Sequence, residues 1–533
     1  MKEILSAIRK NVQLRIQDAL EKEKAAGQAW VLAAILLLSC LAVASQRPFW
    51  FDEFMTFYIA RAGGFHQMAA AVKSGADTIP PYFHYVQSMM LMSGLPEEIA
   101  LRFLPALGVA AGFLCLYYFL LPKCGHFGAL AGAMVPVSGD AMRFGWEARP
   151  YGILFGLSAA AALAWRQTER RQSWAAVLCL FLAAATFVHP FAIFVTGAIA
   201  AAEAFLSFRE GRFRVGVWLA LALASLAELF QFSFLFHARK NFAATFFASA
   251  GWSAFEKAFR ELFSDLWPVI VWVALWLGLS ALAKSSFRAS SHESPVEPPD
   301  TPKPLSEFRR EAVLGVALLA ILPLATLFVF RTLGGGIVAR YILPAMIGAG
   351  ILWGIGLTRA GRTQCLVVLA CLLIIVGLRI YPQAKSYLKS GPIWRGSRQT
   401  DPILRHISGA EVNSIVISSA EAFIRLWRHA SPTERNRIVF ISDPTIAVKI
   451  ANTDSVDKTM MGFRRLTGAR ILNYRPFIER NPDFHLVVGR SSSFEWILPW
   501  LVREGCTLIL SSQEGAYSIY KVSCSDGRGF GAL

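Results

Sequence analysis

The sequence predicts an α-helical multi-pass membrane protein of about eleven transmembrane helices, followed by a soluble α/β domain. Of its 533 residues, 55% are hydrophobic and only 17% are charged, whereas a soluble protein carries about a quarter charged residues. Apolar runs of membrane-spanning length recur as far as residue 381. From residue 382 the composition is that of a soluble domain.

Each predicted span is an apolar run close to the length of about 17 to 25 residues that a membrane helix needs. The spans are residues 28–46, 98–121, 126–139, 150–166, 173–189, 190–208, 214–236, 266–283, 313–330, 341–358 and 364–381. The third is short, but with a cytoplasmic N-terminus it places the arginine clusters at 166–171 and 209–214 in cytoplasmic loops, as the positive-inside rule requires. This topology puts the C-terminal domain outside a bacterial inner (plasma) membrane.

Two further segments belong to the cytoplasmic side in this topology. Residues 1–27 are predicted to form an amphipathic helix lying on the membrane, because 2–24 place apolar residues on one face; a short cytoplasmic helix with no lipid role is the alternative. A cleaved signal peptide is not expected, since about 29 residues, several of them acidic, precede the first run. Residues 285–312 are rich in Ser and Pro and predict a disordered linker.

The C-terminal domain, residues 382–533, alternates apolar strands with helices, which is typical of an α/β layer. Strands are predicted at 414–418, 437–441 and 484–488, and helices at 420–429 and 494–503. No glycine-rich phosphate loop is present, so capping of a site, acceptor binding and structural support all stay open as roles. Cys506 and Cys524 flank a predicted hairpin, where they either form a disulfide or remain free thiols.

The net charge of +17 does not indicate a nucleic-acid partner. In a membrane protein, Lys and Arg concentrate in cytoplasmic loops and contact anionic lipid. Membrane lipid is therefore the expected partner of this charge.

Acidic and basic residues gather where apolar runs meet the outer face. Asp52 and Glu53 follow the first span, and Asp77 shares their outer loop, residues 47–97. An ionisable group beside hydrocarbon is costly unless it serves a function. The remaining polar residues at this face are Arg143, Glu147, Arg149, His189, Arg331 and Arg340. The sequence therefore predicts one polar site at the outer face.

A site on the outer face has no access to cytosolic nucleotide sugars, so an activated sugar must arrive on a lipid. A polyprenyl-phosphate sugar fits this requirement. Transfer needs a carboxylate to take the acceptor proton, for which Asp52 is placed. It also needs cations on the leaving phosphate, for which Arg149 and Arg340 are placed, with Arg143 and Arg331 in reserve. Use of a divalent metal ion stays open, because Asp52, Glu53 and Asp77 are able to share one.

The motifs at these positions resemble those of the GT-C membrane glycosyltransferases, in particular the bacterial branch of protein O-mannosyltransferases, aminoarabinose transferases and rhizobial lipopolysaccharide core transferases. The matching stretches are Phe51–Phe54, Asp77–Tyr85, Leu101–Pro105, Glu147–Tyr151, His189–Pro190 and Arg340–Pro344. The resemblance covers about residues 28 to 360. One departure is Ile79, which stands where the family often has His, so a required metal ion is not expected.

The resemblance implies a GT-C-like fold and a lipid-phosphate glycosyltransferase with a glycan, lipid or protein acceptor. Asp52 would be the base, accompanied by Glu53 and Asp77, and the outer-loop arginines would bind the donor phosphate. The motif residues expected to bind substrate are Arg102, Tyr82, His84, Glu147, Tyr151, His189 and Tyr341.

Simpler interpretations exist for each motif. Asp52 and Glu53 are also suited to a helix N-terminus, and Arg149 and Arg340 to anchoring at lipid headgroups. The rival function is a transporter or flippase of lipid-linked saccharides. Such a protein would carry polar residues through the membrane interior and often an internal repeat; here the acids cluster at one face, which favours the enzyme.

Overall fold

The computed structural model describes residues 26–242, 245–271, 305–358, 362–390, 403, 414–489 and 494–524. The predicted amphipathic helix lies almost wholly outside these ranges, as does most of the predicted span 266–283. The first part of the predicted linker, residues 285–304, also lies outside them.

The membrane domain is a helical bundle. Its helices are α1 (Ala26–Ala44), α2 (Phe51–Ala60), α3 (Phe65–Lys73), α4 (Pro81–Leu91), α5 (Glu97–Ser138), α6 (Tyr151–Gln167), α7 (Trp174–Val188), α8 (Ala192–Glu210), α9 (Val215–Ser225), α10 (Glu228–Phe242), α11 (Trp252–Leu262), α12 (Arg309–Val316), α13 (Leu322–Leu333), α14 (Ala345–Leu357) and α15 (Arg362–Ser390). Within the described ranges, six helical segments are long and apolar enough to cross a membrane, and α7 and α14 are shorter apolar helices.

A helix occupies every predicted span within the described residues, which confirms the multi-pass helical architecture. Spans 98–121 and 126–139 both fall in α5, which breaks at Gly125. Gly125 has φ of 67°, a left-handed conformation that a side chain would disfavour. The chain reverses there, so that Gly132 packs against Leu120. The short third span is therefore a separate helix, as the charge distribution predicts.

Two boundaries differ from the sequence prediction. Helical structure begins at Leu305, inside the predicted disordered linker. It is held there by Phe308, which is 1% exposed, and by Arg310, which pairs with Glu169 at 2.6 Å. At the other end, α15 continues to Ser390, beyond the predicted end of its span at 381.

Close packing of α5 and α6 fixes the loop between them. A Cβ on Gly152 would lie 2.5 Å from the carbonyl oxygen of Pro105, and one on Gly156 would overlap the backbone of Gly108. Small residues of this kind let two membrane helices approach closely. This crossing holds the start of α6, and with it the preceding segment Glu147–Pro150.

The C-terminal domain is a six-stranded sheet with helices on its faces. Its strands are β1 (Ile415–Ile417), β2 (Ile438–Ser442), β3 (Ile471–Asn473), β4 (Asp483–Val488), β5 (Thr507–Glu514) and β6 (Tyr517–Ser523), in the spatial order β3-β2-β1-β4-β6-β5. Strands β1 to β4 are parallel, and β6 and β5 add an antiparallel edge. Its helices are α16 (Ala420–His429), α17 (Pro432–Arg435), α18 (Pro444–Ala451), α19 (Ser455–Thr467), α20 (Tyr474–Arg480) and α21 (Ile497–Arg503).

The α/β class of this domain and its three predicted strands are confirmed. The sequence analysis missed β3 and the helices α18, α19 and α20. Helix α21 begins at Ile497, three residues later than the predicted start at 494. The hairpin β5–β6 is present, and Cys506 and Cys524 at its open end form a disulfide.

Removing this disulfide should lower the stability of the C-terminal domain. The bond closes a loop with a sequence separation of 18 residues, and a loop of this size corresponds to about 3 kcal/mol. The double substitution Cys506→Ser and Cys524→Ser is expected to lower the free energy of unfolding by about that amount, measured by denaturant unfolding. Cys371→Ser, which removes a free cysteine, is the control. Equal loss in both proteins would contradict the prediction.

The C-terminal domain packs directly on the outer-loop helices α2 and α3. Tyr58 and Phe463 meet edge to face with ring centroids 4.9 Å apart. Arg428 forms ion pairs with Glu97 at 2.5 Å and Glu98 at 3.0 Å. Thr453 donates a hydrogen bond to the carbonyl oxygen of Thr245 at 2.7 Å. These contacts hold one end of the parallel sheet over the ends of the membrane helices.

Candidate active site

A cavity of about 440 Å³ lies between the membrane domain and the C-terminal domain. Its polar residues from the membrane domain include Asp52, Asp77, Arg149, Tyr151, Arg340 and Tyr341. Its polar residues from the C-terminal domain include Ser418, Ser419, Glu421, Asp457 and Glu495. Residues distant in sequence thus meet in one cavity.

Glu53 lies beneath the cavity and does not line it. The residue is 1% exposed, and its carboxylate accepts bonds from Arg102 Nε at 2.7 Å and Nη2 at 2.6 Å. It also accepts from the backbone amides of Trp50 at 3.2 Å and Ala148 at 2.5 Å. Its oxygens are therefore fully engaged, which argues against the catalytic role that the sequence analysis expects for Glu53.

Arg102 is likewise a positioning residue rather than a substrate ligand. It is 0% exposed, and its guanidinium also donates to the carbonyl oxygens of Ala44, Arg47 and Pro48. The Glu53–Arg102 pair thus ties the end of α1, the start of α2, α5 and the segment before α6 together. The substrate contact predicted for Arg102 has no exposed atom to support it.

Asp77 and Arg149 form a second ion pair at the cavity wall. Two guanidinium nitrogens of Arg149 donate to the two carboxylate oxygens of Asp77, at 2.6 and 3.0 Å. Burial by itself would raise the pKa of Asp77, but the adjacent guanidinium outweighs it and holds the pKa below its usual value. Arg149 also donates to the carbonyl oxygen of Asp52 at 3.1 Å, so this pair positions the start of α2.

Asp52 points into the cavity and faces Arg340. Its Oδ2 lies 3.5 Å from Arg340 Nη1, and the two side chains are 22% and 21% exposed. The Arg340 guanidinium carbon lies 5.7 Å from the ring centroids of both Tyr151 and Tyr341. This longer, partly exposed ion pair leaves the Asp52 carboxylate able to receive a further hydrogen bond.

Both cavity arginines retain a buried donor. Among the described residues, no hydrogen-bond partner lies near Nε of Arg149 or Nε of Arg340. Both Nε atoms are buried, so a ligand in the cavity first meets the partly exposed guanidinium of Arg340, while Arg149, at 3% exposure, is engaged by Asp77. A guanidinium group suits an anionic ligand such as a phosphate.

The remaining predicted site residues lie outside the cavity lining. Arg143 is half exposed and bonds Glu147 at 3.2 Å, and Arg331 is exposed at the end of α13. His84 is buried with Nε2 3.5 Å from Asp77 Oδ2, and burial lowers its pKa to about 4. The other two are aromatic packing residues. His189 packs against the rings of Tyr151 and Tyr341, and Tyr82 packs against those of Phe65 and Phe187.

The carboxylates considered for a shared metal ion each face a different arginine. Glu53 pairs with Arg102, Asp77 with Arg149 and Asp52 with Arg340. Within the described ranges, no three His, Cys, Asp or Glu side chains are grouped as metal ligands. The described residues that supply positive charge to the cavity are Arg149 and Arg340.

Capping of a site is one of the roles that the sequence leaves open for the C-terminal domain, but the sequence analysis does not predict its cavity-lining residues. Ser418, Ser419 and Glu421 follow the carboxyl end of β1, and Glu495 lies in the segment after β4. Ligands of open α/β sheets bind at the carboxyl ends of the strands. Polar residues just after the predicted strands were therefore the available signal.

Asp457 should make the stability of the C-terminal domain depend on pH. It is 2% exposed, and burial raises its pKa to about 6, although Asp443 and Trp496 donate hydrogen bonds to it. Because the unfolded carboxyl releases its proton earlier, near its ordinary pKa of about 4, the free energy of unfolding falls as pH rises from about 4 to 6.

The substitution Asp457→Asn should remove this part of the pH dependence, up to about 3 kcal/mol. Thermal unfolding of the full chain at pH 4.5 and pH 7 measures the effect, with the exposed Asp483→Asn as control. A wild-type pH profile in Asp457→Asn would contradict the prediction.

Neither a family model nor a curated protein sequence matches this chain. Among solved structures, ArnT from Cupriavidus metallidurans bound to undecaprenyl phosphate aligns with a TM-score of 0.50 and 11% identity, over 92% of this chain and 97% of ArnT. The apo state of ArnT gives a TM-score of 0.47 and 13% identity, over 93% and 98%.

An archaeal oligosaccharyltransferase also aligns. AglB from Archaeoglobus fulgidus, in complex with an inhibitory peptide and a dolichol-phosphate, gives a TM-score of 0.38 and 13% identity, over 88% of this chain and 70% of AglB. The fold comparison rests on ArnT with undecaprenyl phosphate, because its TM-score alone among these three reaches 0.50. The chain therefore has the fold of the GT-C membrane glycosyltransferases, the class that includes ArnT.

Proposed function

We propose that this protein is a glycosyltransferase that moves a sugar from a polyprenyl-phosphate donor to a hydroxyl group of an acceptor. One observation carries the proposal: a partly exposed carboxylate, Asp52, lines the same cavity as the guanidinium groups of Arg149 and Arg340. A base and two cations are the groups that this transfer needs.

Asp52 supplies the base. Its carboxylate accepts the proton of the acceptor hydroxyl as the hydroxyl oxygen attacks the anomeric carbon of the donor sugar. The bond between that carbon and the phosphate oxygen breaks, and its electron pair leaves with polyprenyl phosphate. Direct displacement from the opposite face inverts the configuration at the anomeric carbon.

Arg149 and Arg340 stabilise the leaving phosphate. Negative charge grows on the bridging oxygen as the bond breaks, and guanidinium donors held in fixed positions stabilise that charge. ArnT, which has the same fold, was solved bound to undecaprenyl phosphate. This supports a lipid phosphate as the ligand of Arg149 and Arg340. Because Asp77 holds Arg149 and Tyr151 and Tyr341 flank Arg340, both cations are positioned before the donor binds.

The reaction is placed at the outer face of a bacterial inner membrane. The proposed topology has the N-terminus in the cytoplasm and the C-terminal domain outside, because the arginine clusters between spans then lie inside. The acceptor is a glycan, a lipid or a protein carrying a free hydroxyl.

The decisive assay measures release of undecaprenyl phosphate. Full-length protein in lipid nanodiscs would receive a panel of undecaprenyl-phosphoryl sugars together with an envelope extract as acceptor. Release that requires both donor and acceptor is the expected result. A flippase would instead move the intact donor across a liposome membrane without releasing the phosphate, and that outcome would overturn the proposal.

Arg340 should determine affinity for the lipid phosphate. Arg340→Ala is expected to raise the dissociation constant of undecaprenyl phosphate about 10- to 100-fold, because a hydrogen bond to a charged group is lost. Arg340→Lys should recover part of the affinity, since Lys keeps the charge without the planar fork. Arg331→Ala is the control, because Arg331 is exposed and is not among the residues that line the cavity. Equal affinities of Arg340→Ala and wild type would refute this role.

A further inference from the structure

The carboxyl ends of the parallel strands open into the active-site cavity. Strand β1 lies between β2 and β4 in the sheet, while the chain runs from β1 to β2 and β3 before returning to β4 on the other side. Strand order therefore reverses between β1 and β4. In open α/β sheets, the crevice outside this reversal is where ligands bind. Here that crevice is not a separate pocket, because Ile417 and Ser418 line the same cavity as Asp52.

The crevice presents oxygen acceptors and aromatic rings. Ser418 Oγ donates to the carboxylate of Glu495 at 2.8 Å, and Glu421 lies on the same wall. A carboxylate offers about four acceptor positions, so this bond leaves capacity for further donors. Trp496 and Phe494 supply apolar surface beside these oxygens.

Charge divides the cavity into two halves. Among the described lining residues, the cations are Arg149 and Arg340, and both belong to the membrane domain. Asp77 and Asp52 pair with them, so the charges of this half balance. The C-terminal half carries Glu421, Asp457 and Glu495 without a lining Lys or Arg. A phosphate is thus favoured at the membrane side, and groups that donate hydrogen bonds are favoured at the sheet side. A sugar attached to or approaching a lipid phosphate has this distribution, with an anion at one end and hydroxyl groups at the other.

We infer that the C-terminal domain forms a sugar-binding subsite of the active cavity, in which Ser418, Glu421 and Glu495 bind the hydroxyl groups of a sugar ring. The inference rests on the proposed function and assigns the sugar-binding part of it to the sheet edge. The ring belongs either to the lipid-linked donor or to a glycan acceptor. Both present the same hydroxyl chemistry, so the experiment distinguishes them.

The test compares Ser418→Ala/Glu495→Ala with wild type, using the full chain in nanodiscs. Binding of undecaprenyl phosphate and of a panel of undecaprenyl-phosphoryl hexoses and pentoses is measured without acceptor in an Asp52→Asn background, so that turnover is negligible. A second arm, with Asp52 intact, measures KM for an envelope-glycan acceptor extract. Glu479→Ala, an exposed change in the same domain, is the matched control, and thermal unfolding verifies that each variant is folded.

Affinity for undecaprenyl phosphate without a sugar should stay within about twofold, because the arginines are intact. At least about a tenfold loss is expected for the sugar-bearing ligand. Loss in the donor arm identifies the donor sugar, and a raised KM in the acceptor arm identifies the acceptor sugar. Wild-type values in both arms would overturn the inference while leaving the glycosyltransferase proposal intact. Failure of the wild-type protein to bind undecaprenyl phosphate would instead refute the proposed function.

Discussion

Asp52→Asn should lower kcat/KM for sugar transfer by about 10²- to 10⁴-fold, the contribution expected from a general base. The amide has nearly the volume of the carboxylate but does not take up the acceptor proton. Asp52 is partly exposed and its only described ion pair is the 3.5 Å contact with Arg340, so the fold does not depend on its charge. Release of undecaprenyl phosphate at several acceptor concentrations measures the effect.

Two comparisons separate catalysis from binding and folding. Affinity for undecaprenyl phosphate should change little in Asp52→Asn, because both arginines remain. Asp483→Asn, which makes the same chemical change at an exposed residue of β4, should transfer at the wild-type rate. A folded Asp52→Asn protein with undiminished transfer would show that another group takes the proton.

The membrane architecture was predictable because it depends on local properties. Span length follows from the thickness of the bilayer, whereas the orientation inferred from the distribution of Arg and Lys stays a prediction. Even the short run at 126–139 is a helix, separated from its neighbour at Gly125. The strand β3 was missed for the opposite reason: it has three residues and is defined by its pairing with β2, which no local pattern reveals.

The candidate site was predicted in part. The sequence placed Asp52, Asp77, Arg149 and Arg340 together, and the structure brings them to one cavity. The sequence did not show which of Asp52 and Glu53 faces the cavity. Consecutive helical residues point about 100° apart, so the two carboxylates differ in orientation. Which of the two faces the cavity depends on Arg102, 49 positions away. The covering domain was also beyond local reasoning, because Ser418 and Glu495 reach the site only through the docking of the whole sheet.

Because Glu53 points into the protein and not into the cavity, its removal is expected to lower stability strongly. Glu53→Ala leaves the fully buried Arg102 guanidinium without its carboxylate and the amides of Trp50 and Ala148 without their acceptor. Breaking a buried pair in this way costs about 3 to 5 kcal/mol. We expect a marked fall in the apparent Tm and in the yield of monodisperse protein, measured in detergent.

Glu256→Ala provides the matched control for this change. Glu256 also pairs with an arginine, Arg260, but the two side chains are 58% and 70% exposed. Exposed pairs contribute about 0 to 1 kcal/mol, so this variant should unfold close to the wild-type temperature. If Glu53→Ala were as stable as Glu256→Ala yet inactive, Glu53 would take part in the chemistry after all. Loss of stability in Glu53→Ala alone would instead establish that, of the two adjacent carboxylates, Glu53 anchors the loop and Asp52 remains free to react.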